Sequence, residues 1–398
     1  MESSGSCFTL RCSSYDIDSD PHATRIETKA MPNTIDLFAG AGGSSLGLKA
    51  AGFNHLLCIE KDDDAASTLK AAGFPGLHDD VRNMIIYDEI ERVDMLWASP
   101  PCQAFSTAGN REGVLDDRNG WPWTLQVIDH LHARGIGPEW VICENVPGLT
   151  FHKGDCTGRD YTQCPGCYWL QWIQPEFEKR FDWVGTVMLN AADYGVPQHR
   201  RRVFLVAGPR QVRWPERTHC SAEEMAQQKM FGPMLKQWVS IREALKLEAM
   251  VIGGGRNPSS SEDDKRNYRD ITEEPSTTVA AVQIGNAGPF VIDEDKLVSG
   301  PGSEPWRLDG PSHAVMTTEV KGTRGRHIKG RPDRASDTAW LGAGRRRLTW
   351  KECAVLQGFP DGYPFSGSTQ ASIYKQVGNA VCPIMSEVLG RCVMEVMK

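Results

Sequence analysis

Between Thr34 and Ala207 the chain alternates short apolar runs with stretches of helical periodicity, and this constrains its fold more than any other feature. Strand candidates are Thr34–Phe38, His55–Ile59, Met95–Ala98, Trp140–Cys143, Val184–Leu189 and Val203–Ala207. Helix candidates such as Ser44–Ala51 and Asp64–Ala72 lie between them. Parallel strands must be joined by crossovers, usually helices, so the alternation predicts an α/β fold with a parallel sheet covered by helices on both faces.

The flanks read differently. Residues 1–30 are rich in Ser, Thr and Asp without apolar periodicity, and are expected to be a disordered tail. Residues 31–215 form the regular α/β domain. Beyond about Arg210 the texture shifts to Gly, Pro, Ser and Arg, with loop signals at Gly253–Gly255 and Pro258–Ser261. The segment Glu273–Val279 is echoed by Asp309–Val315, two turns that would each feed a short strand. A smaller, irregular β-rich domain is therefore expected over 216–344. Helical pattern returns in 345–398, where Val377, Val381, Ile384, Met385, Val388 and Leu389 form an apolar face that must be buried. This return is expected to complete the first domain.

Composition narrows the class. No apolar run approaches the ~20 residues of a membrane span, and the N-terminus shows no signal-peptide pattern. A cytoplasmic protein of a bacterium, or of a virus in a bacterial host, is expected, with no membrane partner. In a reducing compartment the 12 cysteines read as thiols, ligands or catalysts rather than a disulfide framework. The net charge of −7 weighs against nucleic-acid binding, yet Lys321 to Arg347 carries nine Lys or Arg against two Asp. A polyanion needs a local basic face, not a basic whole.

Several motifs carry chemistry. In Thr34-Ile35-Asp36-Leu37-Phe38-Ala39-Gly40-Ala41-Gly42-Gly43 a strand runs into a glycine turn and then a helix. Such a turn lets the backbone approach a ligand beside unpaired N–H groups, and Glu60 closes the second strand where a ribose hydroxyl is held in Rossmann-like sheets. No Walker lysine follows. In Ser99-Pro100-Pro101-Cys102-Gln103-Ala104-Phe105-Ser106 a double proline presents a thiol at the carboxyl end of a strand. Glu144-Asn145-Val146 ends another strand at the same edge, where a buried carboxyl would hold or donate a proton; a helix-capping or ion-paired Glu is the competing reading. In Gln198-His199-Arg200-Arg201-Arg202, residues 198, 200 and 202 share one face.

Taken in order, these motifs, with Arg347-Leu348-Thr349, Leu356-Gln357-Gly358-Phe359-Pro360 and Gln376-Val377-Gly378-Asn379-Ala380-Val381, resemble the DNA cytosine-5 methyltransferase family. The resemblance spans about 34–208 and 345–390, and 216–344 falls in place as a target-recognition domain. It implies an S-adenosylmethionine-dependent enzyme acting on double-stranded DNA. Cys102 would attack carbon 6 of a flipped-out cytosine. Glu144 would meet ring nitrogen 3 and the exocyclic amine, while Arg202 and Arg200 would meet the carbonyl at carbon 2. For the cofactor, Phe38 would stack on adenine, Gly40 and Gly42 would admit the methionine part and Glu60 would hold the ribose. Asp80 and Val81 would line the adenine edge, Pro101 the pocket between cofactor and base, and Asn379 the carboxylate end. Ala41 and Ser44-Ser45 depart slightly from the family pattern. A transfer-RNA methyltransferase and a non-catalytic DNA-binding relative are the alternatives. A monomer is expected, with a cognate restriction endonuclease as a candidate partner.

One cluster is not a family hallmark. His152, Cys156, Cys164 and Cys167 fall within sixteen residues and end in Cys-Pro-Gly-Cys, a knuckle that suits one structural zinc.

Overall fold

The computed structural model describes residues 30–101, 118–152, 154, 156, 164–227, 234–246, 250–253, 269–270, 276–277, 290–292 and 345–397. The chain divides into two units, 1–31 and 32–398. Of the first only Ala30 and Met31 are described, so the expected tail lies almost wholly outside the described residues. The second unit is built on a seven-stranded sheet.

Its strands are β1 (Asn33–Leu37), β2 (Asn54–Glu60), β3 (Gly76–His78), β4 (Met95–Ala98), β5 (Trp140–Asn145), β6 (Trp183–Asn190) and β8 (Arg201–Gly208), in the order β3-β2-β1-β4-β5-β8-β6. The short β7 (Gln198–His199) pairs instead with Ser276–Thr277. Helices α1 (Gly43–Ala51), α2 (Asp63–Ala71) and α3 (Trp121–Ala133) join the parallel strands. The expected parallel sheet runs from β3 to β5, and beyond β5 it is mixed. β8 runs antiparallel to both β5 and β6. A doubly buried strand reads as a continuous apolar run whichever way it points, so the direction was not visible in the sequence.

Alternation along each strand divides the core into two layers. Ile35, Leu37, Leu96, Ala98, Val141, Cys143, Val203 and Leu205 face α3, where Trp121, Leu125 and Ile128 complete the packing. Met95, Trp97, Trp140, Ile142, Phe204 and Val206 face the other way, onto Leu48 of α1 and Met385, Leu389 and Val393 of the C-terminal helix Pro383–Val396. Each fully buried side chain of this kind contributes roughly 1.5–3 kcal/mol before entropy is counted.

The C-terminal return packs on one face of this sheet. Its apolar face is carried by two helices, Gln370–Asn379 and Pro383–Val396, because Pro383 lacks the N–H needed to continue the first and fixes the start of the second. α1 accepts the last helix at very short range. A Cβ on Gly47 would lie 1.9 Å from the Pro383 carbonyl oxygen, and one on Gly43 would lie 2.1 Å from that of Val381. Within 250–347, four short segments, Arg269–Asp270, Met250–Gly253, Phe290–Ile292 and Arg345–Arg347, pair antiparallel in that order. Most of 216–344, including the second copy of the echoed turn, lies outside the described residues.

Candidate active site

Because β1, β2, β4 and β5 are parallel, their carboxyl ends share one edge of the sheet. The chain winds outward from β1 in one direction through β2 and β3, then in the other through β4 and β5. That reversal opens a crevice between β1 and β4, where ligands of open α/β sheets bind. The glycine turn, Glu60, Pro100-Pro101 and Glu144-Asn145 all stand at this edge.

The turn after β1 is strained and clamped. Phe38 has φ +57°, one of two non-glycine residues in the left-handed region among those described. That conformation costs about 1–2 kcal/mol and is held by its surroundings. Ala39 N–H donates to Ile59 O at 3.0 Å, and Tyr363 of the C-terminal return donates its hydroxyl to Ala41 O at 2.7 Å. Beneath the turn, Asp36 is fully buried and accepts from Ser44 Oγ (2.7 Å) and Ser45 Oγ (2.6 Å). Burial pushes its carboxyl up to about 7, against the lowering effect of the two hydroxyls. The two serines that depart from the family pattern are thus the partners of this acid.

Glu60 is tied to the turn. Its Oε2 accepts from Gly40 N–H and its Oε1 from Asp62 N–H, both at 2.8 Å, and burial raises its pKa. Space beside Gly40 is open: a Cβ there would touch nothing within 4 Å. Phe38, Pro100 and Pro101 converge on Gly120, where a Cβ would lie 3.1 Å from Phe38 Cζ and 2.7 Å from Pro101 Cδ. An aromatic face, a stiff proline wall, an open glycine and a carboxylate thus stand around one crevice. That donor set fits an adenosyl cofactor. Val81 lies in the core against which Phe38 packs. The Asp80 carboxylate is occupied by Arg82 (2.6 Å) and Lys61 (2.8 Å), and the Arg82 contact foremost holds its pKa well below the usual carboxylate range. Asn379 is exposed at the end of its helix, two residues before the Val381 carbonyl that crowds Gly43.

At the β5 end, Glu144 forms an ion pair with Arg202, Oε1 to Nε 2.8 Å, and both side chains are 11% exposed. The pair exists because β8 runs antiparallel: Glu144 sits opposite Phe204, which makes Arg202 its diagonal neighbour. The pair holds the Glu144 carboxyl at this edge of the sheet. Arg200 points elsewhere. It is buried, and its Nη2 donates to Gly378 O (3.1 Å) and Ala380 O (2.8 Å). Gln198 Nε2 likewise reaches Leu356 O and Gln357 Oε1. Both therefore bind the C-terminal return.

Cys102 lies outside the described residues, and the chain is described up to Pro101. One residue that gained no role from the sequence bears on it. Asn145 Nδ2 donates to Pro100 O at 3.0 Å in a buried contact, tying the end of β5 to the start of the Cys102 segment. No sequence pattern marks this role, because an amide, unlike the neighbouring Glu144 carboxyl, carries no acid–base chemistry. Beside the site, His152, Cys156, Cys164 and Cys167 are brought together with all donor atoms within 4.8 Å of one another.

The model of the C-5 cytosine-specific DNA methylase family matches residues 32–395 of the chain. The Type II methyltransferase M.AplI of Arthrospira platensis is 30% identical over 364 residues, covering 90% of this chain and 84% of that protein. M.DdeI of Desulfomicrobium norvegicum, also a Type II methyltransferase, is 29% identical, covering 90% and 87%. Among solved structures, the S. pombe Dnmt2 methyltransferase aligns with a TM-score of 0.53 at 17% identity, over 92% of this chain and 99% of that one. This last likeness bears on the fold alone.

Proposed function

The chain belongs to the C-5 cytosine-specific DNA methylase family and is a DNA cytosine-5 methyltransferase, and we propose that it works through a covalent adduct between Cys102 and carbon 6 of a flipped-out cytosine. The observation that carries this reading is the buried Glu144–Arg202 pair, set at the sheet edge beside the start of the Cys102 segment.

Carbon 5 of cytosine is too weak a nucleophile to react unaided. Addition of the Cys102 thiolate to carbon 6 breaks the 5,6 double bond and makes carbon 5 an enamine carbon. As the thiolate adds, ring nitrogen 3 takes up a proton from solvent, and the Glu144 carboxylate accepts hydrogen bonds from that N–H and from the exocyclic amine. Arg202 holds that carboxylate in place and faces the carbonyl at carbon 2, where negative charge develops. Once carbon 5 carries the methyl group, its proton passes to solvent water, the 5,6 double bond re-forms and the thiolate leaves. Arg200 acts at one remove, by holding the return that carries Asn379.

S-adenosylmethionine uses the β1–β4 crevice and supplies an electrophilic methyl group when bound. Phe38 stacks on its adenine, Gly40 and Gly42 leave room for its methionine part, Glu60 takes the ribose, and Pro101 separates it from the base. Val81 backs the adenine edge. Asp80, held by two cations, orients the same loop. Asn379 takes the carboxylate end. No step uses the His/Cys cluster beside the site.

Residues 216–344 are the target-recognition domain in this reading, and the arginines from Arg324 to Arg347 contact DNA. The protein acts as a monomer in the cytoplasm of a bacterial host. The Type II names of its relatives support a restriction-modification setting with a cognate endonuclease. Among the described residues no helix is long and apolar enough to cross a membrane.

The test begins by mapping methylated cytosines in DNA from cells expressing the protein, which defines the site. A duplex with 5-fluorocytosine at that position should trap a covalent complex with the wild type and none with Cys102→Ala. Methyl transfer by Cys102→Ala within tenfold of wild type would remove Cys102 from the mechanism.

A further inference from the structure

Four soft donors follow β5, and the methylation chemistry leaves them without a task. Cys167 Sγ lies 3.4 Å and Cys164 Sγ 3.7 Å from His152 Nδ1, and Cys156 Sγ lies 3.2 Å from Cys164 Sγ. Tetrahedral zinc, with Zn–S of about 2.3 Å and Zn–N of about 2.0–2.1 Å, has edges of about 3.6 Å from sulfur to nitrogen and about 3.8 Å between sulfurs. Both sulfur–nitrogen distances fall on that edge. The sulfur–sulfur distance is about half an ångström shorter, yet far beyond the ~2.05 Å of a covalent bridge.

The backbone builds this arrangement by itself. Helix α4 (Pro165–Tyr168) starts inside the Cys-Pro-Gly-Cys turn, and Tyr168 N–H donates to Cys164 O at 2.9 Å. Gly166 N–H donates to Phe151 O at 3.2 Å. A Cβ on Gly166 would lie 2.9 Å from His152 N, so glycine is what lets the backbone at Phe151 and His152 lie against the knuckle. Cys164 and Cys167 are buried, whereas His152 is exposed and closes the cluster from outside.

The knuckle also reaches the active site. Tyr168 is fully buried, and its hydroxyl accepts from Asn119 Nδ2 at 2.9 Å. Next to it, Trp169 meets Trp121 edge-on at 5.7 Å. Asn119 and Trp121 follow Cys102 along the chain, at the start of α3. Pro100 and Asn119, which bracket Cys102 along the chain, are thus held by Asn145 at the end of β5 and by Tyr168 of the knuckle.

We infer that His152, Cys156, Cys164 and Cys167 bind one structural zinc ion, which fixes helix α4 so that Tyr168 anchors the carboxyl-terminal stem of the Cys102 segment. Three thiolates and an imidazole suit zinc, and four protein donors leave no open coordination position for catalysis. The metal half stands independently of the methylation mechanism; the anchoring half rests on the proposed role of Cys102.

The test uses the full chain, purified without a metal-affinity tag. Elemental analysis should give about one zinc per chain. His152→Ala, at an exposed position, should lower zinc retention during dialysis, and His152→Cys should keep it by supplying a fourth thiolate. Chelation should shift tryptophan emission and lower the melting temperature, and added zinc should reverse both. Zinc well below one per chain after reduction and zinc exposure, or a Cys156–Cys164 disulfide in place of metal, would overturn the metal half. Tyr168→Phe should leave zinc content and S-adenosylmethionine affinity unchanged while slowing covalent trapping of a 5-fluorocytosine duplex about five- to tenfold, the scale of one buried hydrogen bond. Trapping at the wild-type rate would overturn the anchoring half. No trapping by the wild type would instead count against Cys102 and leave the zinc result standing.

Discussion

Replacing Arg202 with Met keeps a side chain of similar length and removes the charge that faces Glu144. The two groups are in contact at 2.8 Å and each is 11% exposed, so water screens them weakly. At a charge separation of roughly 4 Å and an effective dielectric near 20, the attraction is about 4 kcal/mol. Removing one partner of a buried pair costs about 3–5 kcal/mol, because the other charge is left uncompensated. Glu144→Gln strips the pair from the other side, and the double variant leaves no buried charge. The double variant should therefore be destabilised by less than the sum of the singles, with a coupling of about 2–4 kcal/mol. A double-mutant cycle in urea unfolding measures it. In methyl transfer, Arg202→Met should lower kcat/KM by about 10²–10³, the effect of losing one donor to a developing oxyanion. A coupling below about 0.5 kcal/mol, as for an exposed pair, would show that the pair does not hold in solution and would undo the positioning argument.

Three further outcomes follow from the geometry. Asp36 has its pKa pushed up to about 7, so its stabilising contribution is present below its ordinary 3.8 and is lost as pH rises through 7. His55, held down to about 4 by burial, slopes the other way between pH 4 and 6.5. Urea unfolding at a series of pH values should therefore show Asp36→Asn gaining on the wild type from pH 4 to 8, and a constant difference would contradict the shift. Gly47→Ala, whose Cβ would lie 1.9 Å from Pro383 O, should force α1 and the last helix apart. The expected cost is about 1–3 kcal/mol by equilibrium unfolding, and unchanged stability would show that the contact is slack. Glu60→Ala should weaken S-adenosylmethionine binding by about 1–3 kcal/mol in calorimetry, with DNA affinity unmoved; equal cofactor affinity would place the pocket elsewhere.

Much of this molecule is readable along the chain, because much of it is set by local patterns. Apolar runs marked six strands of the main sheet to within two residues at either end, and the inner strands β4 and β5 show such runs because they are buried on both faces. Phe38 and Gly40, Pro101 and Glu144 all fall at strand ends, so a parallel sheet brings them to one edge without further information. Gly43 and Gly47 were legible only as part of a glycine-rich turn and helix. Their reason, a carbonyl of Val381 or Pro383 within about 2 Å of any added Cβ, lies more than 330 residues away.

What the tertiary structure alone decided are relations between strands and across the chain. Alternation put Arg200 and Arg202 on one face and left open which would meet Glu144. The reversed direction of β8 and its register, Glu144 against Phe204, gave the contact to Arg202 and sent Arg200 to the Gly378 and Ala380 carbonyls. The spacing of His152, Cys156, Cys164 and Cys167 is irregular, and only the docking of Phe151 and His152 on Gly166 closes them into one cluster. Tyr363 on Ala41 and Asn145 on Pro100 are hydrogen bonds between partners that no local pattern pairs. Periodicity fixes which face a side chain presents; strand direction, register and long-range closure fix what that face meets.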